Sequence, residues 1–210
     1  MDLRSSMILA NMMSDNSGND IQFKNYIYAL NNGYIDTGIN SGITSIRIKG
    51  KWLKSSYSSS TQIYFFGNLS QQSIAGGTYR TGVLGFGRYE SNRVTTFLNS
   101  YSNTSGTTST AKQYNSEQSS SDITIPSFDI TQDRVYFASG NSFRILGSRN
   151  VGSTMCSNDT FGIELVEFYN NGELVNQFKP AIVNNEHGMY DTVTQTFLGN
   201  ANSVGSLICE

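Results

Sequence analysis

From Asn25 onward, apolar residues fall in short runs, and clusters of Gly, Asn, Ser and Asp break those runs at regular intervals. "NYIYAL", then Asn31-Asn32-Gly33, then "YIDTGI" reads as two strands about an Asn-Gly turn, the strongest local hairpin signal. Further strands are expected at "SIRIKGKWL" from Ser45, "QIYFFG" from Gln62, "TGVLGFG" from Thr81, "RVTTFL" from Arg93, "DRVYFAS" from Asp133 and "SFRILG" from Ser142. All are short and rich in β-branched or aromatic residues. In "FGIELVEFYNNGELVNQFKPAI", Ile163 and Leu165 alternate with Glu164 until Asn171-Gly172 turns the chain. Pro180 is expected to stop pairing there, since it has no amide hydrogen to give. "GMYDTV", "QTFLG" and "VGSLIC" complete the series. No long segment repeats its apolar residues every 3.6 positions, so the pattern predicts an all-β, two-sheet antiparallel sandwich.

Two regions depart from this rhythm. Residues 1–24 gather Met7, Ile8, Leu9, Met12 and Met13 ahead of the polar "SDNSGND", a spacing that suits one short helix with an apolar side. They read as an N-terminal arm before a sandwich at 25–210, packed on its own domain or docked on a partner subunit. "KSSYSSST" from Lys54 and "NSYSNTSGTTSTAKQYNSEQSSSD" from Asn99 read as surface loops.

Composition narrows the function classes. The chain has 210 residues, enough for one well-buried core, and only 14% are charged. Ser, Thr, Asn and Gly fill the polar positions. With 14 Lys and Arg against 16 Asp and Glu, nothing indicates attraction to nucleic acid or anionic lipid. No stretch approaches the length of a membrane span. A secretory signal is not expected either, because Asn11 interrupts the short apolar opening. Cys156 and Cys209 lack metal-ligand spacing, and a disulfide between them stays open. "DNSGND" from Asp15 lacks the Glu that closes a calcium loop, so neither metal nor other cofactor is expected.

Catalytic chemistry finds little footing. Glycoside hydrolysis needs two carboxyl groups spaced across the scissile bond. Glu164 and Glu167 stand at an odd spacing that puts them on opposite faces of a strand, as solvent-side hairpin residues, and Asp129 and Asp133 fall in a turn-like segment. No G-x-S-x-G elbow is present, and the single histidine, His187, reads as a turn residue beside Gly188. A neutral surface of rings and amides suits glycans, where rings stack on sugar faces and amides bond to hydroxyls. Trp52, Tyr57 and Tyr101 adjoin the serine-rich stretches and are the candidate glycan-binding residues, the plainer reading of Trp52 being simple core.

The ordered set "GYIDTGI" at 33–39, "YFFG" at 64–67, "IELVEFYNNGELVNQFKPA" at 163–181 and "GMYDTVTQTF" at 188–197 resembles concanavalin A-like lectin/glucanase domains. These are laminin G-like jelly rolls found in gut bacteria and in virion proteins of their tailed phages, crAss-like ones included. The resemblance covers about residues 25–207, with the serine-rich stretches as insertions and "NANSVG" in place of the family's "NAGTG"-type turn. It implies a jelly-roll sandwich, with Gly188 at a bend, Tyr190 and Phe197 packing inward, and Asp191 tying a turn to nearby backbone amides. It also implies a non-enzymatic virion protein made in the host cytoplasm. That protein is a head fibre or capsid decoration, a homo-oligomer held by the arm residues Met7, Ile8, Leu9, Met12 and Met13 to other virion proteins and displaying a glycan-binding domain. The alternatives are a lectin or adhesin on a bacterial surface and, less favoured, a glycoside hydrolase.

Overall fold

The structure is a computed structural model that describes residues 20–53, 62–74, 77–90, 93–105, 109–117, 127–138, 140–150, 153–156 and 159–210. The expected arm residues Met7, Ile8, Leu9, Met12 and Met13 and the candidate Tyr57 lie outside them. In chain order the first six strands are β1 (Ile21–Phe23), β2 (Ile27–Leu30), β3 (Ile35–Asp36), β4 (Ser45–Trp52), β5 (Gln62–Gly67) and β6 (Ser70–Ile74). Next come β7 (Gly77–Glu90), β8 (Arg93–Ser105), β9 (Ser109–Glu117), β10 (Ser127–Gln132), β11 (Arg144–Ile145) and β12 (Gly147–Asn150). The last six are β13 (Ser153–Cys156), β14 (Phe161–Asn170), β15 (Glu173–Val183), β16 (Glu186–Asp191), β17 (Thr196–Leu198) and β18 (Ser206–Cys209).

These strands form the expected all-β antiparallel sandwich, with no helix among the described residues. One sheet runs β10-β4-β14-β15-β16-β17, with β1 added to β15 and β2 linking β14 to β18. The other runs β3-β11-β5-β7-β8-β9, with β6 against β7. A separate ribbon pairs β12 with β13. β1 falls within the stretch assigned from sequence to the arm, and its Phe23 stands opposite Ala181.

An aromatic core fills the space between the sheets. Trp52 and Phe161 lie 4.5 Å apart between ring centres, Phe65 and Phe161 4.9 Å, and Phe143 and Phe168 5.2 Å. Such tilted pairs add about 0.5–1.5 kcal/mol each beyond the area they bury. A bulge between Tyr64 and Phe66 sends the consecutive residues Phe65 and Phe66 both into this core. Glycine makes room for them on β7. A Cβ on Gly87 would lie 2.5 Å from Trp52 Cζ2 and closer still to Phe161. Gly87→Ala is therefore expected to cost about 1–3 kcal/mol through overpacking, read as a lower urea midpoint at unchanged m.

Several local expectations are corrected. The Asn31-Asn32 turn forms, with φ of 50° and 64°, but β2 and β3 do not make a hairpin. β2 pairs with β18 and β3 with β11, so the turn carries the chain from one sheet to the other. Gly33 is needed there because a Cβ would strike the backbone of Ser206. Residues 133–138, the described part of "DRVYFAS", are not a strand. The strand is the preceding "SFDITQ", whose Phe128, Ile130 and Gln132 point inward, and β10 thus takes Asp129 out of the supposed turn. The serine-rich stretch from Asn99 is largely not a loop, since 99–105 continue β8 and 109–117 form β9 beside it. Pro180 does not end pairing, because β15 runs on to Val183. Its carbonyl accepts from Lys24 N–H, so its missing donor faces the side where β1 replaces β14 and no bond to β16 is lost.

Candidate functional site

His187 and the motif around it belong to the scaffold. His187 and Gly188 lie inside β16, not in a turn; the turn before them is Asn184-Asn185, with φ of 51° and 66°. His187 Nδ1 accepts the amide of Cys209 at 2.9 Å and so clasps β18 to the sheet. Gly188 is required by space, not by a bend, because a Cβ would meet Phe197 Cζ at 2.6 Å. Met189 is the inward residue here, which puts Tyr190 and its register partner Phe197 on the outer face. That corrects their expected inward packing. Tyr190 meets Phe23 edge-on at 5.9 Å. Cys209 has a free, buried thiol that donates to the carbonyls of Ala181 and Gly188, and burial raises its pKa to about 11.

Asp191 anchors the next turn as expected. Its carboxylate accepts from Val193 N–H at 3.0 Å, Thr194 Oγ1 at 2.7 Å, Gln177 N–H at 2.9 Å and Asn176 Nδ2 at 2.6 Å. Burial alone would favour the neutral acid. The four donors outweigh it and hold the carboxyl below its ordinary value.

The carboxylates on the outer face of the larger sheet are also engaged. A bulge between Ile163 and Leu165 shifts β14 by one residue, so Ile163 and Val166 point inward while Glu164 and Glu167 share the outer face. That corrects the opposite faces expected from their odd spacing. Glu167 is also buried, not solvent-side. It accepts from Gln177 Nε2 and Tyr169 Oη at 2.8 Å and from Arg47 Nη1 at 3.2 Å. Burial opposes its ionisation, but those donors hold its pKa below the ordinary value. Arg47 also makes a two-pronged pair with Asp129, at 2.8 and 2.7 Å, and Glu164 pairs with Lys49 at 3.2 Å. Glu167 and Asp129, whose donors hold their carboxyls below the ordinary value, are poorly suited to donate a proton as a general acid. Among the described residues no group of three or more His, Cys, Asp and Glu could hold a metal.

The outer face of the smaller sheet is different. On β7 the alternation is inverted relative to an ordinary half-buried strand, with Val83, Gly85 and Gly87 turned to the core and Leu84 and Phe86 turned outward. On β8, Thr96, Leu98 and Ser100 face in while Phe97, Asn99 and Tyr101 face out. Register places Tyr64, Phe86 and Phe97 in one row across three strands, and Leu84 beside Asn99 in the next. Phe86 and Phe97 stack at 4.7 Å and 18°, and Tyr64 lies 6.1 Å from Phe86. Leu69, Leu84 and Phe86 form the buried base, over which Tyr64, Phe97 and Tyr101 are half-buried.

Polar groups meet at one end of this row. The Arg80 guanidinium lies 5.7 Å from the centre of the Tyr101 ring. Burial raises the pKa of Tyr64; the nearby Arg80 charge works against that rise and Tyr101 adds to it. Asn99 Nδ2 donates to Tyr101 Oη at 3.0 Å, while Asn99 Oδ1 is buried with no partner. Turning the amide over would only exchange which atom is orphaned. A buried polar atom without a partner costs about 1–3 kcal/mol.

Of the glycan-binding candidates read from the sequence, Tyr101 falls in this cluster. Trp52 does not, and its assignment to a glycan surface is corrected: it is 1% exposed, on the core side, with Nε1 donating to Thr96 Oγ1 at 3.0 Å. Tyr64, Phe97, Asn99 and Arg80 are not among those candidates, although the glycine-in, bulky-out alternation of "GVLGFG" marks the face. No family model, curated protein or solved structure matches the chain.

Proposed function

We propose that this chain is a non-enzymatic, glycan-binding β-sandwich of the concanavalin A-like, laminin G-like jelly-roll kind. In this reading it is displayed on a tailed-phage virion as a head fibre or capsid decoration. The observation that carries the binding reading is the outer face of the smaller sheet, where half-buried Tyr64, Phe97 and Tyr101 lie over an apolar base of Leu69, Leu84 and Phe86. Rings of this kind stack on the apolar faces of sugars, and a few convergent polar groups fix orientation. The virion setting and attachment to other virion proteins rest on the motif resemblance at 33–39, 64–67, 163–181 and 188–197. Assembly as a homo-oligomer would multiply weak single-site contacts into useful avidity. The engagement of Glu164 and Glu167 in ion pairs favours binding over hydrolysis.

The test is a glycan array that includes host capsular polysaccharides, probed with the full-length protein. A defined hit is expected, weakened about five- to tenfold by Tyr64→Ala and by Tyr101→Ala, about the loss of one ring contact. Far-ultraviolet circular dichroism of both variants should match the parent. A blank array from folded protein would overturn the glycan reading and leave a spacer or decoration role.

A further inference from the structure

The half-buried rings on the outer face of the smaller sheet are spread over strands that are not neighbours. Tyr64 stands on β5 and Phe97 on β8, with β7 and its Phe86 between them. Two strand spacings of about 4.8 Å put β5 and β8 about 10 Å apart. The ring centres follow that spread, with Phe86 6.1 Å from Tyr64 and 4.7 Å from Phe97. Tyr101 lies farther along β8 from Phe97, by about 13 Å of strand. Buried Leu69, Leu84 and Phe86 fill the area among the three rings.

This area exceeds the footprint of one pyranose. A ligand that meets Tyr64 and Phe97 together carries at least two sugar rings in line, each with a C–H face against an aromatic ring. The nearby polar groups are engaged within the protein: Asn99 is buried and gives its Nδ2 to Tyr101 Oη, and the Arg80 guanidinium lies against the Tyr101 ring. Contact area, not charge, is therefore what this face offers. Glucose, with every hydroxyl equatorial, presents the least obstructed C–H faces. A β-1,4 linkage keeps a glucose chain extended as a ribbon with those faces on its flat sides, whereas an α-1,4 linkage coils the chain and takes them out of line.

We infer that the ligand of this face is the interior of an extended, neutral β-1,4-linked glucan, lying across the strands with one sugar over Phe97, another over Tyr64, and Tyr101 flanking the chain. The inference rests on the glycan-binding reading above and adds the ligand's shape and length. It makes the face a reader of chain middles and not of chain ends.

The experiment is titration calorimetry of the full-length protein with cellobiose, cellotetraose and cellohexaose, and with maltohexaose, which has the composition of cellohexaose but coils. Affinity is expected to rise about five- to tenfold from cellobiose to cellohexaose, about the gain of one further ring contact. Maltohexaose should bind no better than cellobiose. Reducing the end sugar of cellohexaose to its alditol should leave affinity unchanged. Phe97→Ala, checked for folding by far-ultraviolet circular dichroism, should bring cellohexaose down to the cellobiose level. Equal affinity for cellobiose and cellohexaose, maltohexaose binding as tightly as cellohexaose, loss of binding on end reduction, or a length gain that survives Phe97→Ala overturns the inference while the glycan reading stands. So does silence toward all of these probes when the array shows a hit elsewhere. Silence together with a blank array overturns the glycan reading itself.

Discussion

Replacing Asp191 by alanine is expected to lower the unfolding free energy by about 3–5 kcal/mol, because it strips one acceptor from four donors at once. Two of those donors are the backbone amides of Gln177 and Val193, which lose their acceptor in part-buried positions beside the buried carboxylate. The measurement is urea denaturation of the parent and the variant. A loss below about 1 kcal/mol would show that water reaches these donors, and that the turn is not closed by the carboxylate. The same residue gives the protein an acid limb. The folded carboxyl is held below its ordinary value, so its contribution is complete above the unfolded pKa of about 3.9 and is lost as pH falls through the folded value. Glu167 adds in the same direction. Stability should thus be flat from neutral pH to about pH 5 and fall below about pH 4. Asp191→Asn should flatten that limb.

Trp52→Ala is expected to cost about 3–5 kcal/mol as well, from a different cause. The indole fills the interior between β4 and β7, 4.5 Å from Phe161 and directly under Gly87, so truncation leaves a cavity lined by rings that have nothing to collapse onto. It also leaves Thr96 Oγ1 without its donor. Trp52→Phe, which keeps much of the volume but not the N–H, should cost about 1–3 kcal/mol. Under conditions where the variants remain folded, glycan affinity should be that of the parent, because Trp52 lies on the core side of the smaller sheet and the aromatic row on the other. A selective loss of binding with intact stability would restore Trp52 to the site.

How far the candidate site can be read from the chain depends on which question is asked of it. Tyr101 adjoins a serine-rich stretch, and the fold does place it in the outer aromatic cluster. Trp52 adjoins one too, but the pleat turns it inward, since Trp52 follows Ile46, Ile48 and Gly50 on the buried face of β4. Arg80 and Tyr64 are distant from Tyr101 along the chain, and only the pairing of β5, β7 and β8 brings them together. Glu164 and Glu167 show the same limit from the other side. Their odd spacing means two faces on a regular strand, and one extra residue at the bulge reverses the result.

By itself the sequence determined the class, the positions of most strands and the chemistry of the surface. Short β-branched and aromatic runs between Asn-Gly and other polar turns have few alternatives to strands, as the hairpin about Asn171-Gly172 shows. It also fixed the role of Asp191, whose bonds to Val193 and Thr194 lie within one turn. Only the tertiary structure decided which strand pairs with which. It sent the turn after β2 from one sheet to the other, carried β15 through Pro180 and made strands of the serine-rich stretch beyond Asn99. It also turned Leu84 and Phe86 outward by giving Gly85 and Gly87 the crowded side beneath Phe65 and Trp52. The physical reason is that strand-forming tendency is local, while register, bulges and facing are set by ladder bonds and ring packing between residues far apart along the chain.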